Sequence, residues 1–200
     1  MKSRVMVIST VVSDLFLLAC ILYSKYLLVN GFSSPLGFYL IGLSIIGVAV
    51  VLSIFKWSGF EKLSELHKKF SLLSAQLGFT SMAISHLLKY QVICQTSAVV
   101  AFVILVATTV YFSFFRPSQL ARKIFGLLGL LIMGIIPVFK GELLTLTMAA
   151  NMSSILVIAV SGLLLRSEEK LFGFPKIDYL HYLLGVALII LTRATLMITV

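Results

Sequence analysis

Residues 36–55 read LGFYLIGLSIIGVAVVLSIF, twenty consecutive positions without a charged side chain. About 20 apolar residues in an α-helix are needed to cross the hydrocarbon core of a bilayer, which is about 30 Å thick. Backbone polar groups in that core must bond within their own segment, so the stretch predicts a transmembrane helix rather than a strand of an open sheet.

The rest of the chain has the same character. Of its 200 residues, 60% are hydrophobic and 12% are charged, and the mean hydropathy is +1.12. Soluble domains are typically about 45–50% apolar and about 25% charged. Because no polar stretch is long enough for a separate soluble domain, we expect residues 1–200 to form one all-α domain of a polytopic integral membrane protein.

Seven apolar segments are predicted to cross the membrane. The fifth segment is short and contains Pro137, so it either includes Leu120 and Ala121 as well, or is kinked or re-entrant; six crossings remain if it does not span. The segments are Val5–Val29, a stretch ending at Phe55 after the Gly31–Pro35 turn, Phe70–Leu88, Val92–Phe115, Ile124–Phe139, Leu143–Leu165, and Ile177 to residue 200.

The positive charges predict the orientation. The net charge of +9 is spread over short clusters between apolar runs and forms no basic patch, which argues against nucleic-acid binding. With a cytoplasmic N-terminus and seven crossings, twelve Lys and Arg fall on the cytoplasmic side and four on the opposite side, where the C-terminus lies. The cytoplasmic links Lys56–Lys69 and Arg166–Lys176 are expected to form short amphipathic helices at the lipid headgroups.

Asp14, His181 and Asp178 are the candidate catalytic residues. Asp14 lies about 13 Å from the cytoplasmic end of the first segment, where a carboxylate must be protonated, paired or hydrated. His181 and Asp178 are three residues apart at the cytoplasmic end of the last segment and therefore share a helix face. An Asp–His pair can carry a proton, orient the imidazole or help to bind a metal, whereas the structural alternative is helix packing for Asp14 and headgroup contact for His181.

His86, Arg193 and Glu142 are candidates for a small polar cluster at the outer side, although snorkelling and helix capping explain His86 and Arg193 equally well. His86 is placed near the outer surface and His181 near the inner one. Two axial ligands of a b-type haem must lie at the same depth, so this threading argues against haem. We predict no cofactor and no metal site.

The third and sixth segments carry small and polar residues. Ser74, Gly78, Ser81 and Ser85 are spaced to share one face of the third segment, and Asn151 lies near the middle of the sixth. Small residues allow close helix packing in lipid, and this is one interpretation of both segments. The other is that Ser81, Ser85 and Asn151 line a polar cavity that ends at Asp14.

Two partial resemblances bear on activity. The segment Gly78–Tyr90, GFTSMAISHLLKY, resembles a stretch of the lysoplasmalogenase-type membrane family, but the acidic residues that this family carries after its glycines have no counterpart between Gly42 and Phe55. Asp14 and His181 are similar to positions in the seven-helix superfamily of alkaline ceramidases and adiponectin receptors, which hold zinc with Asp, Ser and three His. Position 185 is glycine where a second histidine is needed. The sequence is assigned to neither family.

The leading functional hypothesis is an accessory membrane subunit that binds membrane lipids or another membrane protein. The alternatives are a membrane-embedded hydrolase that modifies lipids and a small proton-coupled transporter, both centred on Asp14 and His181. The sequence contains no GxSxG, HExxH or P-loop motif that would favour a particular enzyme class.

Overall fold

The computed structural model describes residues 4–31, 34–116, 118–140, 145–165 and 169–197, and these residues form a helical bundle, as the sequence predicts. The helices are α1 Arg4–Asn30, α2 Gly37–Trp57, α3 Ser64–Leu73, α4 Phe79–Lys89, α5 Gln95–Val110, α6 Gln119–Phe139, α7 Leu146–Leu164 and α8 Lys176–Met197. Two 3₁₀ turns, Ser34–Leu36 and Glu61–Leu63, and two π turns, Ser74–Gly78 and Tyr111–Phe115, lie beside them.

Four helical stretches are long and apolar enough to cross a membrane, as judged by length and composition. They are Val7–Asn30, Gly37–Trp57, Gln95–Phe115 and Lys176–Met197. Two shorter apolar helical stretches are Lys123–Phe139 and Leu146–Gly162. These lengths support a membrane protein, while the number of crossings stays a prediction.

The third apolar segment is helical over residues 64–89 and contains a π turn at Ser74–Gly78. A π turn adds one residue to a helical turn and so rotates the residues after it about the helix axis. Next to this turn, α2 approaches closely: a Cβ on Gly42 would lie 2.5 Å from the carbonyl oxygen of Gly78. The predicted close packing of small residues therefore occurs at Gly78, against α2.

Helix α8 packs against both α1 and α7. A Cβ on Gly185 would lie only 3.0 Å from the Sγ of Cys20, so glycine at position 185 allows α1 to approach α8 closely. The core that these helices share with α2, α4 and α6 is aliphatic and includes Leu17, Ile21, Leu43, Met82, Met133, Leu188 and Leu191.

The link before α8 differs from the prediction. An amphipathic helix was expected over Arg166–Lys176, but the described part of this link forms a β-hairpin from β1 Lys170–Leu171 and β2 Phe174–Pro175. Phe172 (φ 49°) and Gly173 (φ 87°) form the two-residue turn. Positive φ at both positions is the requirement of a type I′ hairpin turn, which Gly173 meets without strain. In the other link, Lys56–Lys69, helix α3 begins at Ser64.

The bounds of helix α6 show where the short fifth segment begins. It extends from Gln119 to Phe139 and therefore includes Leu120 and Ala121, the two residues that the sequence left open. At 21 residues it is about 31 Å long.

Pro137 lies inside α6 and has no N–H, so the carbonyl oxygen of Met133, four residues earlier, loses its usual helical donor. The buried Asn151 of α7 supplies a replacement: its Nδ2 donates to the Met133 oxygen at 2.9 Å. A side chain that the sequence offered as a cavity-lining candidate thus completes the backbone of a neighbouring helix.

This contact predicts a specific coupling between positions 137 and 151. Asn151→Leu should lower the stability of the wild-type bundle by about 1 kcal/mol more than it lowers that of Pro137→Ala, because alanine restores an N–H to the Met133 carbonyl. Thermal unfolding in detergent of the wild-type protein, the two single variants and the double variant measures the coupling. Ser153→Ala, at an exposed site on α7, should show no coupling with Pro137→Ala, and equal costs of Asn151→Leu in both backgrounds would contradict the assignment.

Candidate functional site

A cavity of about 460 Å³ lies within the bundle. This volume is within the range of about 300–1,000 Å³ that is usual for small-molecule sites. Its walls come from α1, α2, α3, α4, α6, α7, α8 and the first π turn, and most of the residues that line it are apolar. They include Leu17, Ile46, Ala49, Val50, Phe79, Leu127, Leu130, Ile158, Ala159, Leu180 and Leu184.

The polar residues of the lining gather toward one end of the bundle. Helices α1, α3, α6 and α8 begin at this end, and α2 and α7 finish there, as the alternating direction of the chain requires. Along α3 and the π turn that follows it, the lining residues run from His67 through Ser71 to Ser74. Along α6 they run from Lys123 to Leu130. The cavity therefore has a polar end at Asp14, Ser53, His67, Lys123 and His181 and an apolar end deeper in the bundle.

Asp14 is the most unusual group in the site. It is 0% exposed, and neither carboxylate oxygen accepts a hydrogen bond of favourable geometry. The Nδ1 of His181 lies 2.9 Å from its Oδ1, so the ring nitrogen and the carboxylate form a close pair. A buried carboxylate with spare acceptor capacity is costly, and it leaves the site able to accept a donor from a molecule in the cavity.

Ser13 and Asp178 support this pair from the side. The Oγ of Ser13 lies 3.2 Å from the Nδ1 of His181 and donates to Oδ1 of Asp178 at 3.3 Å, while Ser9 donates to Oδ2 of Asp178. Asp178 is buried but does not line the cavity. Its contacts with two serines of α1 join α8 to α1 about one helical turn before His181.

The contacts of His181 limit the chemistry of the site. Both Asp14 and Ser13 meet its Nδ1, so a neutral ring that holds its proton there presents Nε2 as an acceptor. A Ser–His–Asp triad needs the serine and the carboxylate on opposite ring nitrogens. Ser13 is therefore not placed as a nucleophile, and the arrangement is that of an oriented acid–base pair.

His67 and Lys123 complete the polar end and were not among the predicted site residues. His67 belongs to the link Lys56–Lys69, and the structure places it on α3, where it lines the cavity. Burial lowers the pKa of His67, and the nearby positive charge of Lys56 lowers it further. The signal in the sequence was the spacing of His67, Ser71 and Ser74, which continues one polar helix face beyond the expected start of the membrane segment.

Among the described residues, no group of three His, Cys, Asp or Glu side chains is arranged to hold a metal ion.

The described residues of the predicted outer cluster lie in two different environments. His86 is fully buried, with its Nδ1 donating to the carbonyl of Met82 at 3.2 Å and its Nε2 3.4 Å from the Oγ1 of Thr195 on α8. Arg193 is exposed and donates to the hydroxyl of Tyr23 on α1 at 3.0 Å. Glu142 lies outside the described residues, so a cluster that includes it stays a prediction.

Ser81, Ser85 and Asn151, the cavity-lining candidates, are buried but do not line this cavity. Ser81 donates to the carbonyl of Leu77 at 2.5 Å, and Ser85 donates to that of Pro35. The serines that do line it are Ser53, Ser71 and Ser74. The hydroxyls of Ser81 and Ser85 and the Nδ2 of Asn151 therefore donate to backbone carbonyls, while the Oδ1 of Asn151 is buried without a hydrogen-bond partner.

Comparison with known proteins adds no assignment. No protein family matches the sequence, and neither the curated proteins nor the solved structures include one with significant similarity to it.

Proposed function

We propose that this chain is a multi-pass membrane protein that binds one lipid-like amphiphile in the cavity between its helices. The observation that carries the proposal is the polarity of the lining. Apolar side chains form the deep end, and the buried carboxylate of Asp14, which has spare acceptor capacity beside His181, lies at the polar end. An amphiphile has the same division between chain and head. Binding of a further membrane subunit, the other part of the leading hypothesis, is compatible with this role and has no separate support.

The two ends of the cavity would contribute differently to binding. Burial of a hydrocarbon chain among residues such as Leu130 and Ile158 provides affinity at about 25 cal/mol per Å² of apolar surface. A hydroxyl or amine donor on the head would satisfy Asp14 and add about 1.5–3 kcal/mol, as hydrogen bonds to charged groups do. The apolar end of the cavity therefore provides most of the affinity, and the polar end sets the orientation of the bound amphiphile.

Blocking the apolar end should remove the ligand. We expect Ala159→Phe, which adds a ring to the cavity wall, to abolish binding of an amphiphile that co-purifies with the wild-type protein in nanodiscs, as detected by native mass spectrometry. Val160→Phe adds the same ring to the exposed face of the same helix and should retain the ligand.

If Ala159→Phe prevents folding, Gly162→Leu provides a second test, because a Cβ at this cavity-lining position meets no atom within 4 Å. Absence of any bound amphiphile from the wild-type protein, or equal retention by the blocked and control variants, would contradict the proposal.

For the membrane arrangement we propose seven crossings with the N-terminus in the cytoplasm and the C-terminus on the opposite side. The support is the twelve-to-four distribution of Lys and Arg. In this arrangement the polar end of the cavity faces the cytoplasmic headgroups, and Cys94, just before α5, lies on the outer side.

Cys94 is a natural reporter of this orientation because it is exposed, whereas Cys20 is buried. A membrane-impermeant maleimide should label Cys94 in intact cells. In a Cys94→Ser background, Lys62→Cys should be labelled only in inverted membrane vesicles. Labelling in the reverse pattern would show the opposite orientation. Labelling of both sites from one side would mean that the chain crosses the membrane an even number of times between them, in place of the one crossing proposed.

A membrane-embedded hydrolase is a second candidate, supported by the oriented pair of Asp14 and His181. In this reaction His181 Nε2 accepts a proton from water, the hydroxide attacks an ester carbonyl in the cavity, and the C–O bond to the alcohol breaks as the alcohol takes up that proton. Asp14 would stabilise the transient imidazolium. Proton-coupled transport, the other alternative, would use the same pair.

The hydrolase would release fatty acid from a medium-chain glycerol ester in nanodiscs. Both Asp14→Asn and His181→Gln should lower this rate by at least about 100-fold, the usual contribution of an acid–base group, while the amphiphile stays bound. Arg193→Gln, at an exposed site on α8, is the matched control and should leave the rate unchanged. If the wild-type protein releases no acid, the binding proposal stands without the catalytic one.

A further inference from the structure

The polar end of the cavity carries an excess of basic side chains. Lys123 is exposed where α6 enters the lining, and His67 faces the same cavity from α3. Lys56, at the end of α2, is near enough to His67 to act on it electrostatically. Asp14 is the acidic group of this lining.

We propose that the head group held at this end is an anion, such as the phosphate of a single-chain phosphate monoester, and that Lys123 and His67 bind it. This inference rests on the proposed amphiphile binding and specifies its ligand. A primary ammonium group and an imidazole N–H are both suitable donors to phosphate oxygens.

The depths of the charges make an anion compatible with Asp14. The Asp14 side chain is 1% exposed and is paired with His181 at 2.9 Å, whereas Lys123 reaches the surface. An anionic head at Lys123 therefore remains nearer to solvent than the carboxylate does. A cationic head at the same place would meet Lys123, Lys56 and a histidine, and it would have to enter more deeply to reach Asp14.

His67 provides a further argument. Its burial beside Lys56 disfavours the imidazolium form, so in the empty site a second positive charge at this position is costly. An anion between His67 and Lys123 offsets that cost and favours protonation of the imidazole. Asp14 supplies part of the counter-charge and raises the pKa of His67, but burial and Lys56 outweigh it, so the net change is downward. An anionic head would add to this counter-charge.

The test compares two probes with the same hydrocarbon chain, dodecylglycerol phosphate and the neutral dodecylglycerol. Both probes keep a glycerol hydroxyl, so a contact of that hydroxyl with Asp14 is common to them and the phosphate is the difference. Binding is measured by native mass spectrometry in nanodiscs of zwitterionic lipid. The wild-type protein should bind the phosphate at least about tenfold more tightly, a difference of one charge-assisted contact. Lys123→Gln should lose about tenfold for the phosphate and less than about twofold for dodecylglycerol.

Lys62→Gln is the matched control, because Lys62 is an exposed lysine of the cytoplasmic link that does not line the cavity. It should change neither affinity. If Lys62→Gln and Lys123→Gln weaken phosphate binding equally, general attraction to a basic protein explains the result and the inference is overturned. Should Lys123→Gln fail to fold, His67→Gln is expected to show the same selective loss.

The outcomes separate this inference from the proposal beneath it. Equal affinity of the wild-type protein for both probes would overturn the anionic head and leave amphiphile binding intact. Binding of neither probe, with no co-purifying amphiphile, would overturn both.

Discussion

The contact between α1 and α8 is the constraint on which the site depends. It places the carboxylate of Asp14 beside the imidazole of His181, with Nδ1 and Oδ1 2.9 Å apart, inside a bundle whose walls are mostly aliphatic. Neither group is easily buried alone, since an isolated ion in an apolar interior loses its hydration. The pair is tolerable because each partner is held in place: glycine at position 185 lets the helices approach, and Asp178 bonds to Ser9 and Ser13 of α1.

The remaining helices enclose a cavity beside that pair. Close approach of Gly42 and Gly78 brings α2 against the π turn of the third segment, and the Asn151 contact with Met133 joins α7 to the proline-interrupted part of α6. Each of these joints is made by a small residue or by a backbone group with no helical partner, so it draws helices together without filling the space between them. The result is an apolar chamber with its charges confined to one end.

That division of polarity is the reason to consider an amphiphile before any other ligand. A soluble polar substrate would leave the apolar end unoccupied, and a hydrocarbon alone would leave the spare acceptor capacity of Asp14 unused. The same geometry is compatible with both binding and catalysis, because the orientation of His181 through Nδ1 is useful for fixing a head group and for activating water. Whether the protein only binds its ligand or also hydrolyses it therefore depends on which molecule occupies the cavity and on how that molecule is placed.

The sequence by itself determined the helical class, the approximate segments and the unusual status of Asp14, because hydropathy and the cost of a charge in lipid are local properties of the chain. It also placed Asp14 and His181 at similar depths on one side. Only the tertiary structure decided which side chains meet. It brought His67 and Lys123 into the site, placed Ser81 and Ser85 on nearby backbone carbonyls, gave His86 and Arg193 different partners, and formed a hairpin where a helix was expected. The physical reason is that a helix face selects its partner through contacts with residues far away in the chain, and a local pattern does not encode which neighbour that face will find.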